Sequence, residues 1–190
     1  MSHAPLLRFT GVSCRRGGRL LFEGLDLTLV PGDAVLLTGP NGAGKSSLIR
    51  IAAGLLPASA GTVERAAPAA LADEQLALDP KLTLGQALAF WARLDEVHPA
   101  HALAAMGLRH LEKVPVRMLS TGQRKRAMLA RVAGAGAKLW LLDEPANGLD
   151  ADGLERLAAL IVAHRDAGGA ILAASHQPIG LDESRRVALG

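Results

Sequence analysis

Gly39-Pro40-Asn41-Gly42-Ala43-Gly44-Lys45-Ser46 follows the apolar run Ala34-Val35-Leu36-Leu37-Thr38 and leads into Ser47-Leu48-Ile49-Arg50. The octet matches G-x-x-x-x-G-K-[ST], a glycine loop set between a strand and a helix. The run before it is short and wholly apolar up to Thr38, as expected of a parallel strand covered on both faces. Glycines let backbone N–H groups turn inward around an anion. The helix opening near Gly44 points its partial positive charge at the same place. Lys45 adds a mobile cation for phosphate oxygens, and the Ser46 hydroxyl is a hard oxygen ligand of the kind Mg²⁺ takes. A glycine turn that merely caps a helix would explain neither the buried strand nor the lysine.

Around this loop the pattern is that of an α/β chain. Leu6–Ser13 and Leu20–Val30 read as strands joined by the turn Arg15-Arg16-Gly17-Gly18. Leu25, Leu27 and Leu29 alternate with Asp26 and Thr28. The helix after the glycine loop runs to about Ala53 and is closed by Gly54. Gly61–Glu64 and Pro68–Ala72 are short strand candidates, and the pattern turns helical from Thr83 to about Gly107. There Thr83 and Gln86 have capping-box spacing, and Pro99 suits the first turn of a second helix. Ser120–Ala133 and Ala151–Ala167 are further helices, Lys138–Leu142 and Gly169–Ala174 further buried strands, and Arg185–Leu189 a last edge strand. Alternating strands and helices predict a mainly parallel sheet, and the early hairpin adds an antiparallel part. The expectation is a single domain over residues 1–190 with a small helical lobe at about 75–118.

Composition sets the limits. The chain has 190 residues, 49% of them hydrophobic and 21% charged, an ordinary globular balance rather than a disordered one. Net charge is +3, spread along the chain, which permits a phosphate ligand without implying nucleic acid. The lone Cys14 excludes an internal disulfide and stands in no zinc spacing with the six histidines. No run of about 18 apolar residues is present, and the N-terminus lacks a charged stretch followed by an apolar one. A soluble chain on the cytoplasmic side is expected.

Two further segments carry chemistry. Leu139-Trp140-Leu141-Leu142-Asp143-Glu144 is an apolar strand ending in two acids. A rigid strand there sets Asp143 beside a metal and Glu144 beside an attacking water. Leu119-Ser120-Thr121-Gly122-Gln123 opens a helix, and Ser120 with Gln123 again has capping-box spacing. A capped helix N-terminus also suits a phosphate, so both readings hold together.

Leu119–Gln123 resembles the LSGGQ signature of ABC-type ATPases, with Thr121 in place of the first glycine. The resemblance spans nearly the whole chain. In order come the P-loop, a glutamine-loop region, the signature, the acid-ended strand, Asn147-Gly148-Leu149-Asp150 and Ser175-His176. It implies a P-loop ABC-type nucleotide-binding domain with an antiparallel β-subdomain and an inserted helical subdomain, using ATP and Mg²⁺. By the same resemblance, Gly39 to Ser46 with Ser47 bind nucleotide, and Lys45, Glu144 and His176 are catalytic. Ser46, Asp143 and Gln75 hold the metal. Ser120, Gly122, Gln123 and Asp150 contact the nucleotide of a second copy. Asp150 also suits the N-cap of the helix at Ala151.

Two departures from that family leave alternatives open. The usual adenine-stacking aromatic is absent, and Arg16 stands in its place. Its guanidinium plane either stacks on the base or sits solvated in the turn. Glu74-Gln75 blurs the glutamine loop, and a neutral amide at Gln75 suits phosphate and Mg²⁺ better than Glu74.

Cys14–Phe22, Leu139–Pro145 and Ser175–Pro178 resemble more narrowly the ATP-binding export family of cytochrome c biogenesis. That resemblance implies integral-membrane partner subunits, haem export and a peripheral place on the cytoplasmic face of the inner (plasma) membrane. No C-x-x-C-H is present, so covalent haem on this chain is not expected. Two other classes compete. A soluble ABC ATPase usually pairs two such domains in one chain or inserts a long coiled coil, and a nucleotide kinase needs neither the signature nor Asn147–Asp150.

Overall fold

The computed structural model describes residues 4–94, 100–181 and 184–190. β1 (Leu7–Arg16) and β2 (Arg19–Leu29) form an antiparallel hairpin, and β4 (Ala60–Arg65) pairs with the other edge of β1. Arg16 pairs with Arg19, so the turn is the two residues Gly17 and Gly18 rather than the four expected. Both have positive φ, 54° and 79°. A two-residue turn of this hand matches the twist of the flanking strands, and glycine reaches it at no steric cost. The strands therefore run further into the turn than apolar patterning alone indicates, and Arg16 ends β1.

The second sheet is parallel, in the order β5–β6–β7–β3–β8, with β3 Ala34–Thr38, β5 Ala69–Ala72, β6 Leu139–Asp143, β7 Ala170–Ala174 and β8 Arg185–Ala188. Its central strands are covered on both faces. In β6, Leu139 and Leu141 join the apolar cluster shared with β1, β2 and α1 (Lys45–Ala53). Trp140 and Leu142 face the cluster shared with α4 (Thr121–Gly134) and α5 (Ala151–Asp166). β7 divides the same way, with Leu172 to one side and Ile171 and Ala173 to the other. Continuous apolar runs are thus the sequence form of a two-faced strand.

Between β5 and α4 lie α2 (Leu84–Leu94) and α3 (Ala100–Ala105). The Thr83 capping box forms, with the Gln86 N–H donating to Thr83 Oγ1 at 3.3 Å and the Thr83 N–H to Gln86 Oε1 at 3.0 Å. Pro99 lies outside the described residues. Gly54 closes α1 in a left-handed conformation, donating to the carbonyls of Arg50 and Ile51. Among the described residues no helix is long and apolar enough to cross a membrane.

Trp140 stacks on His164 of α5 at 3.9 Å between ring centroids. Burial holds the His164 imidazole below its ordinary value of 6.5, against the nearby backbone of Ala170 and Lys138, which favours the charged form. The folded chain therefore favours neutral His164. The stabilisation is complete above the unfolded value near 6.5 and is lost as pH falls below it, because the unfolded chain takes up the proton first. Urea titrations at pH 7.5 and 5.5 should show a loss on acidification, and His164→Phe, which keeps a ring on Trp140, should lose less. An equal loss in both chains would remove His164 as the cause.

Candidate functional site: two clefts

The P-loop, Glu144 and His176 follow the C-terminal ends of β3, β6 and β7, where ligands bind in open parallel sheets. They enclose a cleft of about 490 Å³ lined by Asn41, Gly42, Gly44, Lys45, Ser46, Ser47, Asp143, Glu144 and His176, with Arg16, Leu21 and Asn147. Gly39 is fixed by a close approach of backbones. Its φ is 130°, and a Cβ there would sit 2.2 Å from the Leu189 carbonyl oxygen. Gly39, Pro40 and Ala43 are outside the lining. The first two turn their carbonyls to the Lys45 ammonium, which donates at 2.7 and 3.1 Å, and Ala43 is buried in the core. Lys45 is only 8% exposed. Its charge is thereby held over the loop by carbonyl dipoles that an anion can displace.

Asp143 is 6% exposed and hydrogen-bonds the Ser46 hydroxyl. Burial pushes its carboxyl above the ordinary value, against that hydrogen bond, and the Glu144 charge adds to the rise. A buried carboxylate beside a hydroxyl is a donor set for a hard cation with oxygen ligands. Among the described residues no group of three or more His, Cys, Asp or Glu makes a protein-only metal cage. One buried carboxylate and one hydroxyl would leave a hard cation's other ligands to phosphate and water.

Glu144 is a non-glycine residue with φ of 47°. Its N–H donates to the Ala174 carbonyl at 2.8 Å, which ties this strained turn to β7. Its carboxylate meets His176 twice. The His176 backbone N–H donates to Oε2 at 3.3 Å, and the imidazole Nε2 lies 3.4 Å from Oε1. A carboxylate and an imidazole so paired can take and pass a proton at the cleft.

The remaining expected residues lie elsewhere. Ser120, Gly122, Gln123 and Asp150 line a second cleft of about 300 Å³. There the Gln123 N–H donates to Ser120 Oγ at 3.2 Å and the Ser120 N–H to Gln123 Oε1 at 2.9 Å, completing the capping box. Asp150 caps α5 through the Gly153 N–H at 3.0 Å. Glu74 and Gln75 are exposed on the loop after β5 and do not line the first cleft. The Gln75 N–H is instead drawn to Asp73 Oδ1 at 2.9 Å, and Asp73 faces Arg50 of α1 at 3.8 Å.

Sequence reasoning missed Leu21 and the cleft position of Asn147. Leu21 reads as an ordinary strand residue, and Asn147 stood in a segment from which only Asp150 was chosen. Lys125 of α4 lies within electrostatic reach of the acids at the cleft without lining it. Burial holds its ammonium below the usual value, against the pull of Asp143, Glu144, Glu74 and Asp73.

The fold and the first cleft define a nucleotide-binding ATPase of the ABC class, and residues 22–147 match the ABC transporter family. Two solved structures share the fold. One, an ATP-binding subunit of an ABC transporter, has a TM-score of 0.87 at 22% identity, covering 97% of this chain and 85% of that one. The other, an ATP-binding cassette in its ADP conformation, has a TM-score of 0.76 at 19% identity, covering 98% and 87%. Curated relatives are nearer. The cytochrome c biogenesis ATP-binding export protein CcmA of Novosphingobium aromaticivorans is 56% identical over 95% of this chain and 93% of that protein. That of Sphingopyxis alaskensis is 53% identical over 97% of each. The chain belongs to the ABC transporter family and, within it, to the cytochrome c biogenesis ATP-binding export proteins.

Lys45→Ala leaves the phosphate charge to backbone dipoles alone. Fluorescent-nucleotide titration should show tight binding abolished, with the far-UV circular dichroism unchanged. Near wild-type affinity would remove Lys45 from the phosphate site.

Proposed function

We propose that the chain is the ATP-hydrolysing subunit of a membrane export complex of cytochrome c biogenesis, with haem the exported or chaperone-released cargo. The similarity to export proteins over almost the whole length of both chains carries this reading. In it, residues 1–190 form one ATPase domain, the helical subdomain spans about 75–118, and the chain sits peripherally on the cytoplasmic face of the membrane against integral-membrane subunits.

The loop N–H groups of residues 41–46 and Lys45 hold the β- and γ-phosphates, with Ser47 beside them. Arg16 and Leu21 flank the base. Ser46 and Asp143 would hold Mg²⁺, and Gln75, which does not line this cleft, would join them only if its loop moved. Bound there, the cation neutralises charge on the phosphate oxygens. Glu144 takes the proton of the attacking water as the bond from the γ-phosphorus to the bridging oxygen breaks, and ADP and phosphate leave. His176 orients that carboxylate and meets the γ-phosphate. Two copies of the chain sandwich two ATP molecules. The second cleft of each copy, through Ser120, Gly122, Gln123 and Asp150, closes on the P-loop nucleotide of the other.

Glu144→Gln keeps the shape of the side chain and loses the base. Phosphate release should fall by about 10²–10⁴-fold with ATP still bound. The variant should accumulate as an ATP-dependent dimer in size-exclusion chromatography with light scattering, and adding Ser120→Arg should reverse this. In a deletion strain, Glu144→Gln should fail to restore haem-stained c-type cytochromes. Normal cytochrome maturation with that variant, or pull-downs free of membrane subunits, would sink the export reading.

A further inference from the structure

The second cleft is built by segments distant in sequence. The loop and N-terminus of α4 supply Ser120 and Gly122, and the loop and N-terminus of α5 supply Gly148 and Asp150. Two helix N-termini at one cleft bring like partial charges together, which by itself drives them apart. Their backbones are nevertheless close. A Cβ on Gly122 would sit 3.1 Å from the Gly148 carbonyl oxygen.

One side chain bridges them. The Arg126 guanidinium donates through Nη2 to Asp150 Oδ1 and through Nη1 to Asp152 Oδ2 at 2.6 Å, both in or before the first turn of α5. Nη1 also reaches the Met106 carbonyl at 3.5 Å, after α3. The Arg126 side chain is only 12% exposed although it lines the cleft. Its surroundings leave little slack. A Cβ on Gly153 would meet Asp150 Oδ1 at 2.9 Å and Arg126 Nε at 3.1 Å. On the far side of Asp152, Arg156 donates from Nε to Oδ1 at 3.0 Å and to Oδ2 at 2.9 Å.

We infer that Arg126 is a positioning residue that locks Ser120 and Gly122 to Asp150, so that both segments meet the partner's nucleotide as one rigid face. A planar fork with donors on two nitrogens serves two carboxylates and a carbonyl at fixed angles, whereas an ammonium is a single point charge. Arg126 itself, held by its carboxylates, does not touch the phosphates. The inference rests on the two-copy reading above. It adds that the half-site contributed to the other copy is assembled before any partner arrives.

The test reads the two halves of the site separately. With ATP, the Glu144→Gln chain should run as a dimer in light scattering. Glu144→Gln/Arg126→Met should raise the dimer dissociation constant at least tenfold. ATP affinity of the monomer, measured by titration at low protein concentration, should stay within twofold, because Arg126 is remote from the P-loop cleft. Glu144→Gln/Arg126→Lys should fail to restore the dimer, and it carries the test if the methionine variant does not fold. Dimers as tight as that of Glu144→Gln alone, or an equal loss of monomer ATP affinity, would overturn the inference. A Glu144→Gln chain that stays monomeric with ATP instead sinks the two-copy reading, and this inference with it.

Discussion

The parallel ladder through β7 sets where the reactive groups stand. Ala174 pairs with Leu37 on one side and with Asp143 on the other, so the C-terminal ends of three strands lie in one row, with β3 running one residue further to Thr38. Just beyond this row come Gly39, Ser175 and Glu144, where the glycine loop, the histidine turn and the Glu144 turn begin. The register is held by burial on both faces. A one-residue slip of β6 would exchange Leu139 and Leu141 with Trp140 and Leu142 between two differently shaped cores. It would also turn Asp143 away from α1 and the Ser46 hydroxyl. The site's geometry is thus a by-product of core packing.

Strand alternation places Asp143 on the α1 side and would send the next residue to the opposite face. Glu144 nevertheless lines the same cleft. Its positive φ turns the chain at the point where the ladder stops, and its N–H stays bonded to Ala174. A strained conformation in a non-glycine residue costs on the order of 1–3 kcal/mol and persists only where its surroundings hold it. Here β7 holds the backbone and His176 the carboxylate. Two adjacent acids with different surroundings follow: Asp143 buried against a hydroxyl, Glu144 paired with an imidazole at the cleft wall.

Much of this was legible in the sequence because the decisive signals are local. Ala34–Thr38 followed by the glycine octet announces a buried strand, a loop and a helix within a few residues. Ser120 and Gln123, like Thr83 and Gln86, announce caps because the hydrogen bonds span only one turn. The hairpin is legible but its turn ends are not, since Arg15, Arg16 and Arg19 are exposed and break the apolar pattern while their backbones still pair. What stayed hidden is non-local. Arg126 reads as one more basic residue on a helix, and nothing within a turn of it predicts Asp150 and Asp152. The loop holding Glu74 and Gln75 has no periodicity to fix it, and its observed course depends on Arg50 and Asp73 meeting across two elements.

The cap of α4 leaves side-chain donors free at the second cleft. Ser120 Oγ accepts from the Gln123 N–H and keeps its own hydroxyl proton to donate. Gln123 spends its side-chain oxygen on the Ser120 N–H and keeps its amide hydrogens. Capping pairs the Ser120 and Gln123 backbone N–H groups with two side-chain oxygens and leaves the Ser120 hydroxyl and the Gln123 amide as donors, which a helix N-terminus can turn to an anion. Asp150 is the opposite case, an acceptor committed to Gly153 and to Arg126. Its negative charge beside that anion would repel it if the guanidinium did not offset it. The pair Arg126–Asp150 thus ties two segments together while keeping the cleft wall close to neutral, and the donors on α4 face a cleft whose proposed ligand is a phosphate.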